Sequence, residues 1–200
     1  MLSHLRPAIV MIVLMTIITG IAYPFAMTGI AGLVFPHQAA GSLIEAGGHV
    51  VGSELIGQNF VKDIYFHSRP SATTDTDPAD ATKTVPAPYN AANSSGSNLG
   101  PTSKALSDRV KGDVAKLRAE NPSAAIPADL VTTSGSGLDP DISPAAARFQ
   151  VPRIARARSL PEAQVQALVT AHTEGRLLGL LGEPRVNVLQ LNMALDAATK

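Results

Sequence analysis

The sequence predicts an α+β protein, in which a single N-terminal transmembrane helix precedes one small mixed α/β extracytoplasmic domain. Three observations support this prediction. No Asp, Glu, Lys or Arg occurs between Arg6 and Glu45. Further along, apolar residues recur at helical spacing, and short apolar runs lie between turn-forming residues without strand–helix–strand repetition. We therefore expect a cytoplasmic N-terminus at residues 1–6, an anchor helix at 7–35 and a soluble extracytoplasmic domain at 36–200.

The apolar part of the uncharged segment, residues 8–35, is long enough to cross a bilayer. About 20 helical residues span the roughly 30 Å hydrocarbon layer, and a spanning helix satisfies its own backbone amides. A signal peptide with Gly20-Ile21-Ala22 as its cleavage site is the alternative, but the apolar run continues past that site through Phe35. Arg6 gives the short flank a positive charge that the other flank lacks, so the positive-inside rule predicts a cytoplasmic N-terminus.

Small residues recur inside this anchor. Thr16 and Gly20 are four residues apart, and so are Ala22 and Ala26. Small residues at this spacing allow membrane helices to approach closely. We predict that the anchor docks beside other membrane helices and that Thr16 and Gly20 take part; a chance pattern is the alternative.

The segments after the anchor predict short strands, loops and one amphipathic helix. Residues 42–60 mix apolar pairs with glycine, which favours one or two short strands. Residues 71–88 are polar and interrupted by proline, which predicts a surface loop or an ordered excursion held only at its ends. Apolar residues spaced by four, four and three predict a helix over 103–120, which Pro122 stops. A short strand is expected through residues 130–132.

The C-terminal part predicts two further helices, a strand and a terminal helix. Ser143, followed by proline, is typical of a helix start. We expect Pro152 to kink or split that helix. Pro161 opens the next helix, which we expect Gly175 to stop. The tail alternates in places, which predicts a strand from about Arg185 and then a short helix.

Two short runs share one pattern. "SSGSNLGPT" at 94–102 and "SGSGLDP" at 134–140 both contain Ser-Gly-Ser, a spacer, Leu, a spacer and Pro. Glycine permits positive φ, serine and aspartate accept backbone amides, and proline stiffens the exit. We therefore predict two ordered turns, each anchored in the core by one leucine, with a coincidental likeness as the alternative. The candidate residues are Ser95, Gly96, Ser97, Leu99, Pro101, Ser134, Gly135, Ser136, Leu138 and Pro140.

Composition and motifs argue against several functions. Sixteen acids balance sixteen bases, which disfavours nucleic-acid binding, and the absence of cysteine excludes thiolate chemistry. The lysine after Gly96 is misplaced for a phosphate-binding loop, and no G-x-S-x-G elbow or HExxH pair occurs. We expect no catalytic residue, no metal site and no intrinsic cofactor. A hydrolase that uses Ser97 or Ser136 is a minor alternative.

Several longer runs together resemble the C subunit of the Kdp potassium-transporting ATPase. These runs cover nearly the whole chain in the family's order, and the single N-terminal span also agrees. Ser103-Lys104 stands where the family has Asn-Pro, and residues 73–88 are not closely matched. The runs are "GSELIGQNF", "YFHSRPSA", "YNAANSSGSNLGPT", "SGSGLDPDISPAAARFQVPRIARAR" and "GLLGEPRVNVLQLNMAL".

The resemblance implies an accessory, non-catalytic subunit of a high-affinity, ATP-driven potassium uptake pump in the bacterial inner membrane. Its partners would be a potassium-channel-like subunit, a P-type ATPase subunit and a small single-span subunit, together with the lipid bilayer. The domain outside would cap the potassium-selective subunit and stabilise the complex. Arg69, Arg153 and Arg185 are the docking candidates, because the planar guanidinium offers several donors.

The resemblance also implies an alternative function. The family is described as a catalytic chaperone that raises the affinity of the ATPase subunit for ATP through a ternary complex. That description makes Gln150 a nucleotide-contact candidate, with ATP reached through the ATPase subunit. A domain outside the membrane cannot contact cytoplasmic ATP, so the predicted topology favours the cap. A buried or interfacial glutamine is the competing interpretation of Gln150.

Overall fold

The computed structural model describes residues 4–198, which form two units that meet between Val51 and Gly52. The N-terminal unit contains a long apolar helix, a short helix and a hairpin, and the C-terminal unit is a small mixed α/β domain. The predicted fold class is confirmed. The predicted domain limits and the side of the membrane on which the domain lies stay predictions.

The long apolar helix has three consecutive parts. They are α1 (Leu5–Ile17), a π-helical turn (Ile18–Ala22) and α2 (Tyr23–Val34). The whole helix, Leu5–Val34, has 30 residues, and its most apolar 18-residue stretch has a mean hydropathy of 2.2. No residue of α1 or α2 is buried against the rest of the chain. A helix that is apolar on every side suits lipid, and this one has the length and composition to cross a membrane.

The π-helical turn ends at Ala22, two residues before Pro24. Proline has no N–H for the carbonyl of Gly20, four residues earlier, and its ring crowds that carbonyl. A single wider turn is a common local adjustment within an α-helix. Thr19 lies in this turn, and its Oγ1 donates to the carbonyl of Met15 at 2.7 Å, so its hydroxyl is satisfied inside the helix.

A short helix and a hairpin complete the N-terminal unit. Helix α3 covers Pro36–Ala39, and strands β1 (Leu43–Ala46) and β2 (His49–Ser53) pair with each other. Gly47 and Gly48 connect the strands at φ of 60° and 79°. Two consecutive positive φ values are typical of the tight turns that join hairpin strands. The short strands predicted from the apolar pairs with glycine are therefore confirmed.

A second hairpin, β3 (Thr74–Asp77) with antiparallel β4 (Asp80–Pro86), occupies the segment predicted as a surface loop. Of the two alternatives predicted, the irregular loop is wrong and the ordered excursion is in line with this hairpin. No hydrophobic alternation marks the strands, because their residues are exposed or only half-buried. Local bonds order the turn instead: Asp77 Oδ1 accepts from Ala79 N at 2.8 Å, and Asp80 Oδ1 accepts from Thr82 N at 3.0 Å. The bonds from Thr82 and Lys83 lower the pKa of Asp80.

Helix α4 covers Lys104–Glu120, as its apolar spacing predicts. Ser103 is its N-cap and accepts from Leu106 N at 3.4 Å. The strand predicted through residues 130–132 is wrong, since a short 3-10 helix, Ala128–Leu130, lies there. Leu130 is buried, and the Oγ1 of Thr132 donates to the carbonyl of Ala128 at 2.8 Å. This bond keeps the backbone coiled rather than extended.

Helix α5 covers Pro144–Arg158 and begins as predicted, with Ser143 Oγ accepting from Ala146 N at 3.0 Å. It continues through Pro152, so of the two predicted effects of this proline, splitting is wrong, and a kink stays a prediction. The helix persists because much of its surface packs into the core, which offsets the lost hydrogen bond. Its buried residues are Ala146, Ala147, Phe149, Gln150, Val151, Arg153, Ile154 and Ala155.

Three short antiparallel strands and two more helices complete the C-terminal unit. The strands β5 (Asp141–Ile142), β6 (Thr173–Glu174) and β7 (Arg185–Asn187) pair in the order β5-β7-β6. Helix α6 covers Glu162–Ala171 and ends before Gly175, the predicted stop, with His172 as its C-cap. The Nδ1 of His172 lies 3.0 Å from the carbonyl of Leu168, so this histidine has a capping role. Helix α7 (Val188–Ala198) follows β7 directly, which confirms the predicted strand and terminal helix.

The core of the C-terminal unit lies where α5, α6 and α7 pack together and against the central strand β7. Helices supply most of its apolar side chains, and Phe66 enters it from an irregular segment. Fully buried members include Phe66, Ile154, Val165, Val169, Val186, Leu191 and Leu195.

Candidate functional site

The two Ser-Gly runs lie side by side. Ser94 Oγ donates to the carbonyl of Ser136 at 3.0 Å, and Thr133 Oγ1 donates to Ser97 Oγ at 3.2 Å. A Cβ added at Gly96 would lie 2.9 Å from the carbonyl oxygen of Gly135, closer than real Cβ atoms approach. The repeated glycine therefore allows the two backbones to meet. The sequence shows the repeat but not this pairing.

The second run has the tighter structure. Ser134 is buried, and its Oγ accepts from Gly137 N at 2.8 Å. Ser136 Oγ accepts from Leu138 N at 3.1 Å. Gly137 adopts a φ of +69°, and an added Cβ would lie 2.7 Å from the carbonyl oxygen of Ser95. Only glycine satisfies both conditions at this position.

The expectation that a leucine anchors each run in the core is wrong for Leu99. This side chain is exposed, and Asn98 before it adopts a φ of 51°. Leu138 is half-buried, and its carbonyl accepts from Gly57 N at 2.8 Å. Side-chain hydrogen bonds and a close backbone approach hold the two runs together, so the first run needs no apolar anchor. Pro101 is exposed, whereas the carbonyl of Pro140 accepts from Val188 N at 3.0 Å.

The "YFHSRPSA" segment is bonded to the second run. Arg69 Nη1 donates to Asp139 Oδ2 at 2.8 Å, and Ser71 Oγ donates to the carbonyl of Gly137 at 2.7 Å. Tyr89 OH donates to the carbonyl of Arg69 at 2.7 Å. Burial raises the pKa of Tyr89 to about 12, so its hydroxyl remains a donor at physiological pH. Arg69 thus helps to hold the second run in place through its bond to Asp139.

Two side-chain amides, one on α5 and one on α7, bind the backbone of two consecutive residues in the "YFHSRPSA" segment. Gln150 Oε1 accepts from His67 N at 2.8 Å, and Gln150 Nε2 donates to the carbonyl of His67 at 3.0 Å. Asn192 does the same for Phe66, with distances of 2.8 Å and 3.0 Å. Both amides are about 2% exposed. Gln150 therefore acts as a buried structural residue, and sequence reasoning missed Asn192 because an asparagine inside a helix carries no local signal.

Arg153 lies inside the domain rather than at a surface available for docking. Its Nε donates to Glu120 Oε1 at 2.9 Å, and its Nη2 donates to Gln150 Oε1 at 2.7 Å. Nη1 donates to two carbonyls, those of Asp63 and Tyr65. Burial and the nearby guanidinium of Arg153 lower the pKa of His67.

A cleft of about 700 Å³ opens between α4 and these segments. Arg109 lies on the α4 side, and its Nη1 donates to Asp113 Oδ2 at 3.2 Å and to the carbonyl of Val131 at 3.3 Å. Within residues 4–198, Arg109 Nε, Arg109 Nη2 and Arg69 Nε are buried without a partner. The cleft is lined by residues that include His67, Arg69, Tyr89, Ser97, Leu99, Arg109, Lys116, Glu120 and Gln150.

These three nitrogen atoms are closed off from solvent, so a partner's oxygen would reach them only after the cleft opens. A buried donor without a partner costs about 1–3 kcal/mol. The charged side chains grouped here are paired with one another: Arg69 with Asp139, Arg109 with Asp113, and Arg153 with Glu120. No group of three or more His, Asp or Glu side chains able to hold a metal ion occurs in residues 4–198.

Arg185 is the most exposed of the three predicted docking arginines. Its side chain is 60% exposed and bridges Glu174 at 2.9 Å and Asp141 at 3.2 Å. Burial raises the pKa of Asp141, although Arg185 opposes that shift. In the N-terminal helix, a Cβ added at Gly20 would lie 3.9 Å from Thr16 Cγ2, so these small residues adjoin on an unburied surface.

Comparison with known proteins identifies the family. The family model described as KdpC, K+-transporting ATPase, c chain, matches residues 5–197. A protein of Rhodopseudomonas palustris is 71% identical over 200 residues, 100% of both chains. A protein of Bradyrhizobium diazoefficiens is 70% identical over 99% of this chain and 98% of its own, and one of Methylobacterium nodulans is 70% identical over 98% of each.

All three relatives are named as the KdpC subunit of the potassium-transporting ATPase. The family match extends over almost every described residue. It therefore includes the apolar helix, the paired Ser-Gly runs, and the buried amides Gln150 and Asn192. The chain belongs to the KdpC family, the c chain of K+-transporting ATPases.

Proposed function

We propose that this chain is the anchored cap of its potassium-transporting ATPase. Helix α1–α2 lies in the inner membrane with its N-terminus in the cytoplasm, and the domain that follows lies outside, over the mouth of the potassium-selective subunit. The observation that supports this proposal is the 30-residue apolar helix, whose one charged residue is Arg6 in its first turn and which has no buried face in its own chain. Such a helix requires lipid or other membrane helices around it.

The role is accessory and non-catalytic, in agreement with the family, whose members are named as subunits of the ATPase. The polar side chains at the candidate site support this role. Gln150 and Arg153 use their hydrogen-bonding groups to hold the "YFHSRPSA" segment, so they are committed to structure. These bonds make the surface of the domain rigid, so the domain can bind a partner without rearranging and can stabilise the ATPase complex.

The partners in this proposal are a potassium-channel-like subunit, a P-type ATPase subunit and a small single-span subunit. The anchor contacts them inside the bilayer through the surface that carries Thr16 and Gly20. The domain contacts the channel-like subunit through Arg185 and the cleft that holds Arg69 and Arg109. Tethering by the anchor raises the effective concentration of the domain, so a modest interface remains occupied.

Cysteine labelling tests the topology. The sequence contains no cysteine, so Ala124→Cys, in an exposed turn of the domain, introduces a single reporter. His4→Cys is the matched reporter at the other end of the apolar helix. In intact protoplasts, an impermeant thiol reagent should label position 124 rapidly and label position 4 only after lysis.

The opposite labelling pattern would overturn the cap. Protection of position 124 until lysis would place the domain beside cytoplasmic ATP and would favour the catalytic-chaperone function, with nucleotide contact near Gln150. Labelling at both positions before lysis would show that the apolar helix does not span the membrane, and this result would also contradict the proposal.

A further inference from the structure

The connection between β6 and β7 exposes a group of leucines. We call residues 175–184 the leucine loop. Leu177, Leu178, Leu180 and Leu181 are 67%, 86%, 80% and 62% exposed. In the described part of the domain from Gly52 onward, these four are half of the eight exposed large hydrophobic side chains. Apolar patches rimmed by polar residues are typical of interaction sites.

The leucine loop is ordered by its own hydrogen bonds. Leu177 and Leu181 exchange backbone bonds of 2.9 Å and 3.0 Å, and Arg176 Nη2 donates to both carboxylate oxygens of Glu183 at 2.9 Å. Leu178 and Gly179 adopt φ values of 54° and 74°. A bulky residue at positive φ is strained, and such strain occurs most often at functional sites. The loop therefore presents its leucines in a fixed arrangement.

The charges around the loop favour a protein partner over lipid. Glu174, Arg176, Glu183 and Arg185 provide two acids and two bases, and they pair with one another. Segments that insert at a bilayer surface carry excess Lys or Arg for anionic headgroups and aromatic residues at the interface. The leucine loop has no basic excess and no aromatic residue. An apolar centre with a balanced polar rim is the usual form of a protein interface.

The size of the loop explains why its partner must be membrane-bound. A stable interface between soluble proteins buries about 800 Å² on each partner. The tip of the leucine loop, residues 177–181, is too small to supply that area. An interface of this size between two soluble copies of the domain would therefore be weak. A chain whose apolar helix already lies beside the partner needs far less contact area, because the second contact is intramolecular in effect.

We propose that the leucine loop docks into an apolar pocket on an extramembrane surface of a partner subunit of the same ATPase. This inference rests on the proposed function, since it assumes that the chain is assembled with membrane partners. The loop and the apolar helix then form two separate attachments, one in water and one in lipid. Loss of either attachment weakens the assembly without unfolding the domain.

Paired substitutions test this docking. The double variant Leu178→Ser/Leu180→Ser removes two leucines from the loop, and Val50→Ser/Leu55→Ser removes two other exposed apolar residues as the matched control. Full-length tagged chain is purified from membranes in mild detergent together with its partners. We expect the loop variant to recover at least ten-fold less partner protein, the control to match the wild type, and both purified chains to keep the wild-type melting temperature.

The outcomes separate this inference from the proposed function. If the wild-type chain recovers partners and the loop variant recovers them equally well, the docking inference is wrong while the subunit function stands. If the wild-type chain recovers no partner, the proposed function fails, and the docking inference fails with it. A loop variant with a lowered melting temperature would also contradict the inference, because these side chains would then support the fold.

Photocrosslinking identifies what covers the loop. A benzophenone amino acid replaces Leu178, or Leu55 as the control, in the full chain within native membranes. We expect irradiation at position 178 to give a crosslink to another subunit of the ATPase, and position 55 to give none. A crosslink at position 178 only to lipid or only to a second copy of this chain, or no crosslink at all, would overturn the inference.

Discussion

Gly137→Ala should destabilise the C-terminal domain strongly. An alanine there keeps a φ of +69°, and its Cβ would lie 2.7 Å from the carbonyl oxygen of Ser95 and 2.5 Å from Thr73 Cγ2. The left-handed conformation costs about 1–2 kcal/mol for a residue with a Cβ. Forcing an extra methyl group into a packed site typically costs about 1–3 kcal/mol. We therefore expect a loss of roughly 2–5 kcal/mol in the free energy of unfolding.

Urea unfolding of the full chain in detergent, monitored by circular dichroism, measures this loss. Thermal unfolding of the same samples gives the melting temperature, Tm. A domain of this size loses about 2–4 °C of melting temperature per kcal/mol, so Tm should fall by roughly 4–20 °C. Gly135→Ala is the matched control in the same run, because no heavy atom lies within 4 Å of its added Cβ and its φ is not positive. The control should change stability by less than about 0.5 kcal/mol. Equal unfolding midpoints for the two variants would refute the reasoning.

Three further predictions concern the candidate site and its support. Arg153→Met should cost about 3–5 kcal/mol in urea unfolding, because it leaves Glu120 without its buried partner, and adding Glu120→Gln should restore part of the loss. An unchanged unfolding midpoint for Arg153→Met would contradict this assignment. Because the pKa of His67 is lowered in the fold, the unfolded chain binds more protons below its ordinary pKa of 6.5. Stability should therefore fall as the pH drops from 7.5 to 5.5, and His67→Gln should reduce that slope in parallel urea titrations; identical slopes would show that His67 is not responsible. Ser143→Ala should cost roughly 1–2 kcal/mol, since it removes the N-cap of α5 and the bond from Ser143 Oγ to Asp129 at 3.1 Å, and a stability equal to the wild type would contradict the capping role.

Elements with strong local signals were predicted correctly. The uncharged apolar run predicted the N-terminal helix, apolar spacing predicted α4, and the cap residue Ser143 predicted the start of α5. The polar hairpin β3–β4 was missed because its strands face water on both sides, so no hydrophobic alternation marks them. The uninterrupted helix at Pro152 was missed because local propensity takes no account of the core that covers α5.

The candidate site was predicted only in outline. The repeated Ser-Gly-Ser pattern indicated two ordered turns, but their pairing depends on a contact between residues 42 positions apart. Arg153 and Gln150 were named as docking and nucleotide candidates, and the structure places both in the interior. Their burial follows from bonds to the "YFHSRPSA" segment, more than 80 positions earlier in the chain.

The sequence alone determined the membrane-type helix, the balance of charge, the helix starts and the family resemblance, because each depends on composition or on residues a few positions apart. Only the tertiary structure decided which polar residues are buried, since Gln150 and Asn192 find their partners 83 and 126 positions away. It also decided that Leu99 and the leucine loop face outward. Burial is a property of the whole packed domain, because a side chain leaves water only when distant segments cover it.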